Sequence, residues 1–186
     1  NKGVLLVFDE IQTGFGRTGK LFAFEHTQVV PDILLLAKAM GGGMPVGAFI
    51  SSAKNMQALT KNPVLGHINT FGGNAVCVEA ARVTLELIVK EKLWQRAEHL
   101  SKLIVERLHH PLIRQIRMCG ALGAVEFENE HLNKKVIRAC IEGGVISDWF
   151  LFCPTAMRIA PPLNMSDEEL LQSLNVIQRS LDQQMR

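Results

Sequence analysis

Several protein classes are excluded by what this sequence lacks. Its four cysteines, Cys77, Cys119, Cys140 and Cys153, form no CxxC pair and show no metal-ligand spacing with the six histidines, so no metal site and no disulfide framework is expected. No apolar stretch reaches the length of a membrane span, and the opening Asn1-Lys2-Gly3 carries no signal-peptide pattern. The expectation is a reduced, cytoplasmic protein with no membrane partner. Charge of one sign is missing too: the net charge is +2, which offers no strong field for nucleic acid or anionic lipid. There is no internal repeat and no low-complexity tract. What remains is ordinary globular material, with 186 residues that are 47% hydrophobic and 20% charged, enough to bury a core in one compact domain or two small ones.

Apolar runs alternate with glycine-rich turns in the first half. Val4 to Phe8, Ile33 to Ala37 and Val46 to Ser51 read as three sheet strands, the first two as buried ones. A short helical stretch, Ala53 to Leu59, follows, and then an aperiodic glycine-bearing loop from Asn62 to Gly73. From Ala75 the pattern becomes helical, with Val78, Ala81, Leu85, Ile88 and Val89 on one face. It runs on through Leu93 and Trp94 toward Leu108 as one long helix or two joined ones, linking two domains. The second half has an α+β rhythm: strands at Gly123 to Phe127, Val145 to Ile146 and Met157 to Ala160, and helices at Leu132 to Glu142 and Ser166 to Met185. Ser166 and Glu169 are spaced as a capping box.

One motif is rejected. Gly14-Phe15-Gly16-Arg17-Thr18-Gly19 matches GxGxxG, but it stands several residues beyond its strand and opens no helical pattern, and Asp32 precedes the next strand instead of ending it. A dinucleotide loop needs all three features.

Asp9 and Lys38 carry more. Each closes an apolar run, and a parallel sheet presents its ligands beyond the carboxyl ends of its strands, so two such strands would aim a carboxylate and an amine into one crevice. That pairing suits pyridoxal 5'-phosphate, whose ring nitrogen needs an anionic partner to stay protonated and whose aldehyde needs a lysine to form a Schiff base.

The neighbouring residues extend this to a family. DEIQTGFGRTG at 9–19, PDILLLAKAMGGGMPVGA at 31–48 and HINTFGGNAV at 67–76 occur in the order and spacing of the class III aminotransferases, and GAVEFE and MRIAPPLNMSDEEL continue the similarity. The sequence closely resembles that family, with the run around Lys38 leaning toward its ornithine and acetylornithine branch. The resemblance implies that Asp9 pairs with the pyridinium nitrogen, that Gln12 lies near the cofactor's phenolic oxygen and that Lys38 is the Schiff-base lysine and proton carrier. It also implies that Thr70 reaches the cofactor phosphate of a neighbouring subunit, making the active unit a homodimer with shared sites. Arg158 would clamp the α-carboxylate of glutamate or 2-oxoglutarate. Arg17 and Arg117 are weaker candidates for a substrate contact.

The fold so implied is α/β: part of a pyridoxal-phosphate fold type I large domain over residues 1–88, followed by an α+β C-terminal small domain over 89–186. The family's glycine-rich phosphate cradle, ring-stacking aromatic and gating glutamate are not found in these residues, so the chain reads as the C-terminal portion of a longer enzyme. The activity expected of the family is amino transfer from an amino acid such as ornithine or acetylornithine to a 2-oxo acid, 2-oxoglutarate foremost. An aminomutase, a decarboxylating relative or a truncated non-catalytic fragment would keep the same Asp9 and Lys38.

Overall fold

The computed structural model describes residues 3–185, which divide into two compact units. The first comprises residues 3–16 and 20–92, and the second comprises 17–19 and 93–185.

The first unit is built on a three-stranded sheet: β1 (Val7–Asp9), β2 (Ile33–Leu36) and β3 (Ala48–Ser51), in that spatial order. β1 and β2 are parallel, with Val7 opposite Ile33 and Asp9 opposite Leu35. β3 returns antiparallel to β2, because the loop 37–47 is too short for the crossover that a parallel neighbour needs. Asp32 fixes the entry to both parallel strands. Its carboxylate accepts from Leu6 N at 2.8 Å, and its own backbone N–H donates to Leu6 O at 2.9 Å. After β3 come α1 (Ala53–Gln57), capped by Ser52, and α2 (Ala75–Glu91), whose first turn is capped by the Asn74 side chain at Val76 N and Cys77 N.

The reading of β1 as a buried strand from Val4 is overturned. The strand begins at Val7, and Val4 to Val7 are exposed, at 81% for Val4 and 48% for Val7. Among the described residues β1 is an edge strand, and the buried apolar side chains of this unit are few: Phe15, Leu34, Leu36, Ala81 and Ile88. The helical face is likewise narrower than the sequence suggests. Ala81 and Ile88 are buried, whereas Val78, Leu85 and Val89 are exposed. The long helical pattern is two helices. α2 ends at Lys92, whose φ of +51° is left-handed, and α3 (Trp94–Arg107) belongs to the second unit.

The second unit is an antiparallel sheet covered by helices. Its strands are β4 (Gln115–Cys119), β5 (Leu122–Glu126), β6 (Asp148–Phe150) and β7 (Cys153–Ile159), arranged β4-β5-β7-β6. α3, α4 (Glu130–Glu142) and α5 (Asp167–Asp182) bury Leu100, Ile104, Val136, Leu170, Leu174 and Leu181 together with Val125, Phe127 and Met157 from the sheet side. Two strands differ from the sequence reading. β6 lies two residues beyond the apolar pair Val145–Ile146, and β7 starts at Cys153 instead of Met157. β4 has no counterpart in that reading, because its alternation of Ile116 and Met118 with polar residues is brief and only half-buried. The Gly120 turn between β4 and β5 has φ +56°, and a Cβ there would stand 2.4 Å from the Thr18 backbone, so this hairpin packs on residues 17–19 only through a glycine.

The capping box at α5 forms as its spacing indicates. Ser166 Oγ accepts from Glu169 N at 3.2 Å, and Ser166 N donates to the Glu169 carboxylate at 2.8 Å. Beside it, Asp167 ties α5 to α3: its two oxygens pair with Arg96 at 2.9 Å and His99 at 2.8 Å. The Arg96 hydrogen bond, and then that of His99, hold the Asp167 carboxyl below its ordinary range. A depressed carboxyl pKa contributes stability above the unfolded value, near about pH 4, and loses it as pH falls through the lowered one. Asp167→Asn therefore lowers the melting temperature at neutral pH, and the gap to the wild type closes as the solution is acidified below the carboxylate range. A gap that stays constant from pH 7 to pH 2 would contradict this linkage.

Candidate functional site

Parallel pairing brings the carboxyl ends of β1 and β2 side by side, at the usual strand spacing of about 4.8 Å. Asp9 is the last residue of β1, level with Leu35, and Glu10 N extends the ladder to Leu35 O at 3.0 Å. One oxygen of the Asp9 carboxylate accepts from Ile11 N at 3.0 Å, which closes the turn leaving the strand and holds this side chain at the sheet's end. The side chain is exposed there.

Lys38 opens the 3-10 turn Lys38–Gly41 immediately beyond β2 and Ala37. Its φ is +50°, in the left-handed region that a side chain other than glycine's seldom occupies. Residues held this way cluster at functional sites. Among the described residues Lys38 has neither an ion-pair nor a hydrogen-bond partner, so its amine is uncommitted. Lys38 itself is exposed, and the reading of Ile33 to Ala37 as a buried strand holds for one face of β2 only, with Leu34 and Leu36 buried and Ile33 and Leu35 half-buried.

The glycines after Lys38 are explained by packing. Gly42 has φ +57°, and a Cβ on it would fall 2.2 Å from Thr84 Oγ1 of α2. That contact seats the lysine turn on the helix. Thr84 is in turn fixed by its own hydroxyl, which donates to Ala80 O at 2.8 Å.

Glu10 was not singled out by the sequence reading, and the structure makes it the anchor of the loop after β1. It is 2% exposed, and its carboxylate accepts from Ala23 N at 2.6 Å, Phe24 N at 2.8 Å and Thr13 Oγ1 at 3.4 Å. It thereby satisfies the first donors of the 3-10 turn Ala23–His26. The available signal was strand alternation: an acid following Asp9 must point to the opposite face. No α-helix follows Gly14–Gly19, in keeping with rejection of the dinucleotide motif.

The other candidates are placed as follows. Gln12 is exposed in the turn after Asp9. Thr70 is exposed within the turns that lead to Asn74 and α2, where Gly72 N donates to Asn69 O and Asn74 N to Phe71 O, both at 3.2 Å. Arg158 is on β7 of the second unit, half-buried, and pairs with Asp148 at 2.6 Å. Arg17 is not available to a substrate. Its guanidinium donates to Ala121 O at 3.2 Å and Pro161 O at 2.5 Å within the second unit, and burial pulls its pKa down. Arg117 is engaged by Glu126 and by Gln115 on the same sheet.

Comparison with known proteins decides the family. The model of the class-III aminotransferases matches residues 1–181. This chain belongs to the class-III aminotransferases. It is 38% identical over 184 residues to the acetylornithine aminotransferase of Mycobacterium leprae, covering 97% of the chain and 44% of that protein. The corresponding Mycobacterium tuberculosis enzyme is 39% identical over 172 residues, which is 91% of the chain and 42% of its own length. Among solved structures, the ornithine aminotransferase of Toxoplasma gondii ME49 superposes with a TM-score of 0.86 at 36% identity, over 100% of this chain and 45% of that one. A Bacillus anthracis aminotransferase gives 0.85 at 30% identity, over 97% and 45%. The chain thus spans a little under half the length of the curated relatives it matches. Another Toxoplasma gondii ornithine aminotransferase structure holds pyridoxal phosphate at partial occupancy in its active site, and pyridoxal phosphate is the cofactor of the family. The fold accords with a partial fold type I arrangement.

Two substitutions test the scaffold. Glu10→Ala leaves the Ala23 and Phe24 N–H groups without their acceptor and is expected to destabilise the chain by about 2–4 kcal/mol in urea unfolding. Gly42→Ala adds a clash and a strained φ, with an expected loss of about 1–3 kcal/mol. A Gly42→Ala protein as stable as the wild type would mean that the turn does not rest on Thr84.

Proposed function

We propose that this chain carries the Schiff-base lysine, the ring-nitrogen acid and the substrate arginine of a pyridoxal-phosphate transaminase. The donor would be an amino acid of the ornithine or acetylornithine type and the acceptor a 2-oxo acid, with 2-oxoglutarate the leading candidate. The observation that supports it most is Lys38: an uncommitted amine on a left-handed backbone, one strand away from a carboxylate at the same end of a parallel pair.

These residues fit the cofactor by the chemistry they offer. When bound, pyridoxal phosphate supplies an electron sink that stabilises the carbanion left when a C–H bond beside the amino nitrogen is broken. Asp9 in its anionic form keeps a proton on the ring nitrogen, and its strand-end turn holds it in place for that task. Gln12, in the turn that follows, is the candidate contact to the ring's phenolic oxygen. Lys38 would hold the cofactor covalently through Nζ, and its freed amine would take the proton from the substrate carbon that bears the nitrogen and return it, as acid, to the cofactor's former aldehyde carbon. Its lack of a competing ion pair suits both roles. Arg158 offers a planar guanidinium that a substrate carboxylate can meet in two-pronged fashion. Thr70 is assigned to the phosphate of a neighbouring subunit's cofactor, which makes the working unit a homodimer in the cytoplasm. Residues 1–88 would then be part of the cofactor-binding large domain and 89–186 the small domain.

Reductive trapping tests the central assignment. Purified chain is mixed with pyridoxal phosphate, reduced with borohydride and mapped by mass spectrometry, alongside Lys38→Ala. A phosphopyridoxyl label concentrated on the Lys38 peptide, and lost in the variant, is expected. Label spread evenly over the surface lysines in both proteins would remove Lys38 from its role.

A further inference from the structure

Arg158 is gripped at both its ends, by the first residue of β6 and by the residue before it. Ser147 Oγ donates to the Arg158 backbone carbonyl at 2.7 Å, and the next residue, Asp148, accepts from Arg158 Nη2 at 2.6 Å. Asp148 and Arg158 are directly opposite in the antiparallel register of β6 and β7, so their side chains leave the same face of the sheet. One step beyond, at Trp149 and Phe150, the register shifts, a distortion of the kind that re-aims strands beside functional sites. Arg158 is also among the residues lining a cavity of about 320 Å³, with Ser147, Ile146, Pro161 and Met165.

From this arrangement we infer that Asp148 is a positioning residue, which orients the Arg158 guanidinium for a substrate carboxylate. The inference rests on the reading of Arg158 as the carboxylate anchor. The pair is not explained as a stability device. Arg158 is 33% exposed and Asp148 49%, and ion pairs this open contribute little to folding. Orientation is a different matter. Arginine has a long, rotamer-rich stem, and a two-pronged contact with a carboxylate requires the guanidinium plane to be set before the ligand arrives. The Asp148 carboxylate on Nη2, combined with a backbone carbonyl tethered by Ser147, restrains both the tip and the root of that stem. The same pair removes the net positive charge of an isolated arginine, so binding depends on geometric match more than on attraction from a distance.

The opposite outcome is physically distinct: an acid that merely competes with the ligand would weaken binding, and its removal would tighten it. Calorimetric titration of the chain with glutarate, a five-carbon dicarboxylate, separates these. Asp148→Ala is expected to bind glutarate about tenfold more weakly, and Asp148→Asn, which keeps an acceptor at the same reach, about threefold more weakly. Both variants should retain the wild-type melting temperature within a few degrees, and the Arg158 Nε–H resonance should broaden in the alanine variant. Unchanged or tighter binding by the variants, with binding abolished in Arg158→Gln, overturns the inference while keeping Arg158 as anchor. Equal binding by Arg158→Gln, or none by the wild type, overturns the anchor reading itself. Should Asp148→Ala fail to fold, the asparagine variant decides, since its affinity falls only if Asp148 orients the arginine.

Discussion

The parallel pairing of Val7–Asp9 with Ile33–Leu36 is the constraint on which the rest of the first unit depends. Only a parallel pair puts two carboxyl ends together, and only there can residues far apart in sequence present a carboxylate and an amine to the same ligand. An antiparallel partner would have sent Lys38 to the far end of the sheet. The pairing is set at its start by Asp32, which takes the Leu6 N–H in its carboxylate and returns its own N–H to Leu6 O. A shift of one residue between these strands would turn Leu34 and Leu36 away from the buried side and move Asp9 off the level of Leu35.

Lys38 shows where local preference yields to tertiary demand. Its φ of +50° is disfavoured for a side chain of that kind, and it persists because the turn that follows is fastened elsewhere: Gly41 is buried, and Gly42 meets Thr84 of α2 at a distance that only glycine permits. The glycines and the lysine are therefore one device. Glycine supplies the close approach, and the approach supports the strain at the lysine.

Much of this was legible in the sequence, and the failures have identifiable causes. Asp9, Lys38, the strands that carry them and the capping box of Ser166 and Glu169 follow from run ends, turn residues and spacing, and the family follows from three motifs in order. Burial was misread, because an apolar run such as Val4 to Phe8 records what a strand can cover, not whether the described residues provide a cover. Glu10 escaped notice because its two shortest contacts are to the backbone N–H groups of Ala23 and Phe24, which leave no mark in sequence. Arg17 was read as a weaker candidate for a substrate contact. Its actual partners are the carbonyls of Ala121 and Pro161, over a hundred positions away.

The two units hold their shape by different means. In the second, a continuous core from Leu100 to Leu181 fixes the sheet, and polar contacts such as those of Asp167 are additions to it. In the first, few side chains are buried, and the positions of the chemically useful residues rest on hydrogen bonds: Asp32 to Leu6, Asp9 to Ile11, Glu10 to Ala23 and Phe24. Hydrophobic burial is nondirectional, whereas a hydrogen bond specifies a distance and an angle. Under the proposed reading, a carboxylate and an amine would have to meet one ring nitrogen and one aldehyde, a task that needs direction more than bulk. That requirement would account for a sheet end made of acids, turns and glycines in a chain whose second unit is packed with leucine, isoleucine and valine.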